Sequence, residues 1–372
     1  MVNAMKDVGF AWVYSPHILG IILLFISCSP RYIIDEVRPT QPLSLPADDA
    51  AHYNAQTEWW YYTGHLTADD GAEYGFELTF FKRLTSKDRA PPWLLYVPAH
   101  WVKEVGMLAH FAVTDFGQRR FKATQMHNLC RKWRAERDTY HVAVNGWSAR
   151  SEQGTHHLQA SMRGYGIDLR LTPLKPAALH GPGGILDKGV SANYYYSYTR
   201  MRVEGAMTVA GRIKPVRGIA WMDHEFGPME LMKSNIAWDW FSIQLDNNTE
   251  LMLYIIKKDG AIIDRSGGTF VHENGIAKRI ELRDIEITPL ATWKSPKTGA
   301  VYPSRWKIVI KPLAVTLSIT PLFEDQELTL SPVTYWEGSV SVAGSMGRRV
   351  ITGKGYVELV GYDTRKSFGT QQ

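Results

Sequence analysis

Cysteine is scarce in this 372-residue chain, which has only Cys28 and Cys130. That excludes a disulfide-built scaffold. Cys-x-x-Cys and His-Glu-x-x-His are both missing, so a zinc site has no motif behind it. The chain also lacks Gly-x-Ser-x-Gly, the nucleophile elbow of an esterase. No glycine-rich phosphate loop opens a helix. Lysine and arginine form no block, the net charge is only +5, and nucleic acid is not an expected partner. Helical periodicity is largely wanting, apart from one short helix expected within residues 124–137. Beyond residue 28 no run is apolar enough to span a bilayer. None of this signals disorder, because hydrophobic residues make up 45% of the chain and charged residues 21%.

Rings are abundant instead, with 13 Trp and 18 Tyr. Each carries an apolar body and one polar handle, which suits strands and cavity walls. Trp60-Tyr61-Tyr62-Thr63-Gly64-His65-Leu66 and Tyr74-Gly75-Phe76-Glu77-Leu78-Thr79-Phe80-Phe81 flank Asp69-Asp70-Gly71. Two aromatic, β-branched runs around an Asp-Gly turn predict a hairpin. Further strands are expected at residues 107–115, 140–144, 157–162, 167–172 and 201–209, with similar spacing to the end. The fold class is therefore all-β, a sandwich or closed barrel.

The N-terminus predicts an export signal. Lys6 supplies a positive charge, residues 18–26 are apolar except for Gly20, and Leu24-Phe25-Ile26-Ser27-Cys28 has the form of a lipobox. Cleavage after Ser27 leaves Cys28 as an acylated N-terminus; an uncleaved anchor helix over residues 10–26 is the alternative. Ser29, with no Asp after the cysteine, resembles bacterial lipoproteins sent to the outer membrane. Acyl chains hold a soluble domain at a membrane without a spanning segment. Residues 31–49, with Pro39, Pro42 and Pro46 and following Pro30, read as a tether.

The sequence repeats itself. Trp59 aligns with Trp238, Tyr62 with Phe241 and Leu66 with Leu245, and each segment leads to a second strand ending in Phe81-Lys82 or Ile256-Lys257. Val203-Glu204-Gly205 resembles Trp336-Glu337-Gly338, and Gly218-Ile219-Ala220-Trp221 resembles Gly353-Lys354-Gly355-Tyr356. A duplicated β domain explains both sets. The organisation expected is a signal at 1–28, a tether at 29–49, domains at 50–232 and 233–365, and a tail at 366–372.

Two segments are specific enough to carry a family resemblance: Glu58-Trp59-Trp60-Tyr61-Tyr62-Thr63-Gly64-His65-Leu66, and Gly218-Ile219-Ala220-Trp221-Met222-Asp223-His224-Glu225-Phe226-Gly227. With His180-Gly181 and Asn193-Tyr194-Tyr195-Tyr196-Ser197-Tyr198, they resemble the AttH-like lipocalin family, related to carotenoid 1,2-hydratases and often labelled predicted secreted hydrolases. The resemblance covers roughly residues 50–365. It implies two tandem lipocalin-like β-barrel domains and an apolar ligand of lipid or isoprenoid type, with no cofactor. It also implies, by analogy, an ABC transporter of lipoprotein-release type as partner.

Hydrating an alkene needs a proton donor, a wall that steadies a carbocation, and a placed water. Aromatic faces provide the wall. A carboxyl provides the proton if burial keeps it protonated. Asp223 is the candidate acid, with Trp221 on the same face of a strand by two-residue parity. Similarity to the carotenoid hydratases puts Asp223 at their acid and Trp221 beside it. It puts Tyr194 and Tyr196 where those enzymes place a His and an aromatic residue. His224 and Glu225 are expected to stagger around Asp223. Glu58, Trp59, Tyr61, His65, Glu77 and His110 are the further ligand-site candidates, and Glu58 could instead pair with Arg200 or Arg202. Three functions follow in order: apolar-ligand binding, a hydratase, and a secreted hydrolase. His180-Gly181-Pro182-Gly183-Gly184 reads as a turn. His156 and His157, adjacent on a strand, should point to opposite faces.

Overall fold

A computed structural model describes residues 42–84, 105–127, 133–186, 192–228, 236–330 and 333–363. Cys28, Cys130 and most of the tether lie outside them. Within them the chain forms two curled antiparallel sheets, the architecture of two tandem lipocalin-like barrels. The first sheet has thirteen strands and the second eleven. Each closes in the same way, its first long strand pairing with its last. Thr57–Ala68 lies between Glu73–Leu84 and Arg212–Gly227, and Ile236–Leu245 lies between Glu250–Lys258 and Arg349–Val360. The first sheet ends at Gly227 and the second begins at Ile236.

Side-chain alternation shows which strands meet solvent. In Val315–Pro321, Val315, Leu317 and Ile319 face the core while Thr316, Ser318 and Thr320 are exposed. Thr57–Ala68 is buried on nearly every residue. Its even members, Trp60 and Tyr62, enter the first barrel's core. Its odd members, Trp59 and Tyr61, join a separate cluster with Trp221, Trp240 and Tyr356, drawn from both barrels. A strand with both faces buried cannot show polar–apolar alternation, so aromatic richness is its sequence signature.

The predicted hairpin turns at residues 69–71, where Gly71 adopts φ 81° and its N–H donates to the Ala68 carbonyl at 2.8 Å. Among the described residues of 124–137 the expected helix is not formed. Arg120–His127 and Trp133–Ala135 are strands, because sheet pairing overrides a weak local pattern. At the end of the range read as a tether, Ala47–Asp49 closes a 3-10 turn, and Asp49 is buried under Tyr196 and Tyr198. One of the two repeat alignments also fails. Tyr61 pairs with Asp223 as Trp240 pairs with Glu358, so those strands correspond in register. Ser197 faces Asp223, whereas Glu337 faces Glu358. The counterpart of Glu337 is therefore Ser197, not the exposed Glu204 seven residues on; the irregularity in pairing between Tyr198 and Met201 accounts for only one residue of that difference.

Candidate functional site: the seam between the barrels

The outward face of Thr57–Ala68 and its neighbours packs against the second barrel. Tyr61, Tyr195, Trp221, Trp240, Tyr254 and Tyr356 are the buried rings there, with Trp59 and Trp238 partly buried at the margin. Close approach of the barrels depends on Gly75. A Cβ at that position would lie 2.3 Å from the Tyr356 hydroxyl. At one end the seam opens into a recess of about 290 Å³, lined from both barrels by His65, Phe116, Phe323 and Lys354 among others.

Asp223 stands among these rings, with Trp221 beside it as parity predicts. Trp221 Nε1 donates to Asp223 Oδ1 at 2.5 Å, Tyr195 Oη donates to Oδ2 at 2.5 Å, and the Ser197 hydroxyl donates to Oδ1. Trp240 of the second barrel donates to the Tyr195 hydroxyl at 3.0 Å. Burial pushes the Asp223 carboxyl up to about 6, against the lowering effect of those three donors. Glu225, held by Asn193, is raised well above its ordinary range by burial and by the charges of Asp223 and Glu358. Glu358, the repeat counterpart of Asp223, is pushed up to about 8.

Further buried polar groups extend the seam. Tyr335 donates to Glu77 Oε1 at 2.9 Å, and Tyr61 donates to Glu337 Oε1 at 2.7 Å. His65 Nε2 meets Ser339 Oγ at 2.7 Å, and His110 Nδ1 meets Tyr335 Oη at 2.7 Å. Burial depresses both histidines to about 3, so they are neutral. His180 bridges the barrels from Ser197 Oγ at 2.6 Å to Thr269 Oγ1 at 2.8 Å. The expected glycine turn after it is present, with Gly181 at φ 77°.

The candidates from the sequence therefore divide between two faces of one sheet. Asp223, Trp221, Glu225, Trp59, Tyr61, His65, Glu77 and His110 belong to the seam. Tyr194, Tyr196, His224 and Glu58 lie on the other face, within the first barrel. Tyr196 bonds His224 Nδ1 at 2.8 Å and Asp49 Oδ1 at 2.5 Å. The tyrosine that touches Asp223 is Tyr195. His224 points away from Asp223 because adjacent strand residues face opposite sides. The same rule separates His156, bonded to Tyr62, from His157, bonded to Asp168.

Glu58 takes neither Arg200 nor Arg202. Its Oε2 lies 2.5 Å from Lys82 Nζ, and its Oε1 lies 3.0 Å from His224 Nε2 and 2.8 Å from His52 Nδ1. Burial opposes ionisation, yet Lys82 and the two histidines hold Glu58 well below the usual carboxylate range. His52, Glu58 and His224 bring three metal-competent atoms within 4.8 Å of one another. The fit to a cation is poor, because the Lys82 ammonium already matches the carboxylate's charge. The His52 backbone N–H also donates to both Glu58 oxygens, at 3.1 and 3.0 Å. This cluster reads as a latch that pins residues 48–52 to Thr57–Ala68. Arg200 instead joins Lys175 on Glu250, at 2.5 and 2.8 Å, and ties the two barrels together.

Sequence reasoning missed Tyr195, Ser197, His180, Tyr335, Glu337 and Glu358. Glu358 was within reach, since it stands at the repeat offset from Asp223. Ser197 and Glu337 were hidden because the repeat was aligned seven residues out of register in that strand.

The model of AttH-like proteins matches residues 36–362. The chain belongs to the AttH-like family. A crystal structure of a candidate AttH from Nitrosomonas europaea is similar at 29% identity and TM-score 0.77, over 88% of this chain and 99% of that one. Kievitone hydratase from Nectria haematococca is similar in fold, at 15% identity and TM-score 0.69, over 87% of this chain and 94% of that one. No match is found among curated proteins. In this AttH-like chain the two segments that carried the resemblance are the paired strands Thr57–Ala68 and Arg212–Gly227, which form one wall of the seam.

Proposed function

We propose that this AttH-like protein binds an apolar small molecule, a lipid or isoprenoid in class, at the aromatic seam between its barrels. One observation carries the reading: rings from both halves gather around carboxyl groups that burial keeps near neutrality. The first barrel core holds one such raised carboxyl, Asp49 under Tyr196 and Tyr198, whereas the seam gathers Asp223, Glu225, Glu77, Glu337 and Glu358. The seam thus combines rings with acids, which suits a ligand whose apolar body needs rings and whose reactive part needs protons.

Hydration of a carbon–carbon double bond is the chemistry that Asp223 favours. A proton passes from its carboxyl to one alkene carbon, and the π pair becomes the new C–H bond. The adjacent carbon takes positive charge opposite the faces of Trp221 and Trp240, whose quadrupoles steady it. Water adds there, and its surplus proton returns to Asp223. The likeness in fold to a protein named as a hydratase agrees with this. An acyl anchor at Cys28 would hold the seam beside a membrane that supplies such molecules. A carrier role beside an ABC exporter belongs to the same proposal.

The test is extraction and mass spectrometry of small molecules from the purified protein. Wild type is expected to carry an apolar species, and Trp240→Ala to lose it. Asp223→Asn is expected to accumulate a species lighter by one water than the product formed by wild type. Identical cargo in wild type and Asp223→Asn sinks the hydratase step, and cargo with no apolar component sinks the binding reading.

A further inference from the structure

Among the described residues five buried side-chain polar atoms have no hydrogen-bond partner: Glu77 Oε2, His110 Nε2, Glu337 Oε2, His157 Nδ1 and Trp306 Nε1. The first three all belong to the seam. Leaving a buried polar atom unmet costs about 1–3 kcal/mol, and native proteins keep few of them. Three in one seam, on residues from both barrels, point to a polar group that completes them.

The surrounding bonds fix what each atom offers. The Tyr335 hydroxyl gives its proton to Glu77 Oε1, so the bond it receives comes from His110 Nδ1–H. The proton of neutral His110 is thereby placed on Nδ1, and Nε2 presents a lone pair. Glu77 Oε1 also accepts from Thr79 Oγ1 at 2.8 Å, and Glu337 Oε1 accepts from Tyr61. In each carboxyl one oxygen is engaged as an acceptor and the other is bare. Burial pushes Glu77 up to about 7 and raises Glu337 well above its ordinary range, to which an ionised Glu77 adds. When both carboxyls are protonated, the bare oxygens carry O–H groups, two donors against one acceptor. Glu77 lies diagonally across the strand pair from His110, and Glu337 stands two residues from Tyr335 on the same face.

We propose that Glu77, His110 and Glu337 recognise a hydroxyl oxygen, so that the molecule bound at the seam is an apolar alcohol or phenol rather than a plain hydrocarbon. A hydroxyl donates to the imidazole lone pair and accepts from the carboxylic acids, which matches the open bonds in number and in sign. A carboxylate ligand would meet two acids whose ionisation it opposes. The proposal rests on the seam being the ligand site, and its experiment separates the two ideas.

Full-length protein in lipid nanodiscs is titrated with farnesol, farnesene and farnesylamine, read by tryptophan fluorescence. Wild type is expected to bind farnesol at least about tenfold more tightly than farnesene, which corresponds to about 1.4 kcal/mol. The preference should vanish in His110→Phe and Glu337→Leu, and persist in Glu337→Gln, which keeps a donor there. Equal binding of farnesol and farnesene overturns hydroxyl recognition while leaving the seam as the site, and means that water fills the open bonds. Tightest binding of farnesylamine overturns it too, in favour of an ionised carboxylate pair. Failure of all three probes to bind removes the seam reading and this inference with it. Should His110→Phe or Glu337→Leu melt, the wild-type comparison of farnesol with farnesene still decides.

Discussion

Replacing Asp223 by Asn should change the pH dependence of stability more than stability itself. The Asp223 carboxyl is 3% exposed and is pushed from an ordinary 3.8 up to about 6. Its folded pKa lies above its unfolded value, so between those pH values the folded protein keeps a proton that the unfolded chain has lost. Stability from this group is complete below pH 4, falls as pH rises toward 6, and stays reduced above. At about 1.4 kcal/mol per pH unit the loss is on the order of 3 kcal/mol. Asparagine has no such titration. It still accepts from Trp221 and Ser197, but it leaves the Tyr195 hydroxyl without its acceptor, a cost of about 1–3 kcal/mol at every pH. Asp223→Asn is therefore expected to be less stable than wild type at pH 4 and close to it at pH 7.5. The difference between the two proteins should move by about 3 kcal/mol in the variant's favour. Removing the charge also eases ionisation of Glu225 and Glu358, which acts in the same direction. Urea unfolding at the two pH values measures the change. A difference that is the same at both, within about 0.5 kcal/mol, refutes the buried-acid account of Asp223.

Three further outcomes follow from other contacts. Lys82→Met strips Glu58 of its ammonium with both side chains fully buried, and should cost about 3–5 kcal/mol in urea unfolding. Gly75→Ala drives a methyl into the Tyr356 hydroxyl and should cost about 1–3 kcal/mol. Adding Tyr356→Phe should recover most of that loss, and a double-mutant cycle without coupling would disprove the contact. Glu250→Gln leaves Lys175 and Arg200 without their shared carboxylate and should weaken the joint between barrels by about 3–5 kcal/mol. Urea unfolding measures that loss, and no change in the midpoint would disprove the shared ion pair.

The sequence by itself determined the strand content, the aromatic hairpin and its turn, the family, and the pairing of Asp223 with Trp221. These are local or periodic properties: a two-residue repeat, a turn that needs glycine, a motif read in a row. The repeat also placed Trp238 and Trp240 opposite Trp59 and Tyr61 in the second half. Only the tertiary structure decided which face of each strand meets the other barrel. Thr57–Ala68 is apolar or aromatic on both faces, so its pattern could not distinguish the barrel core at Trp60 from the seam at Tyr61. An irregularity between Tyr198 and Met201 then shifted the register by one residue, so that Ser197 faces Asp223 with Tyr195 beside it, in place of Tyr198 and Tyr196. Side-chain direction in a sheet reverses with every residue. One slip in register thus moves a functional group from one compartment to the other, and no local signal in the chain records it.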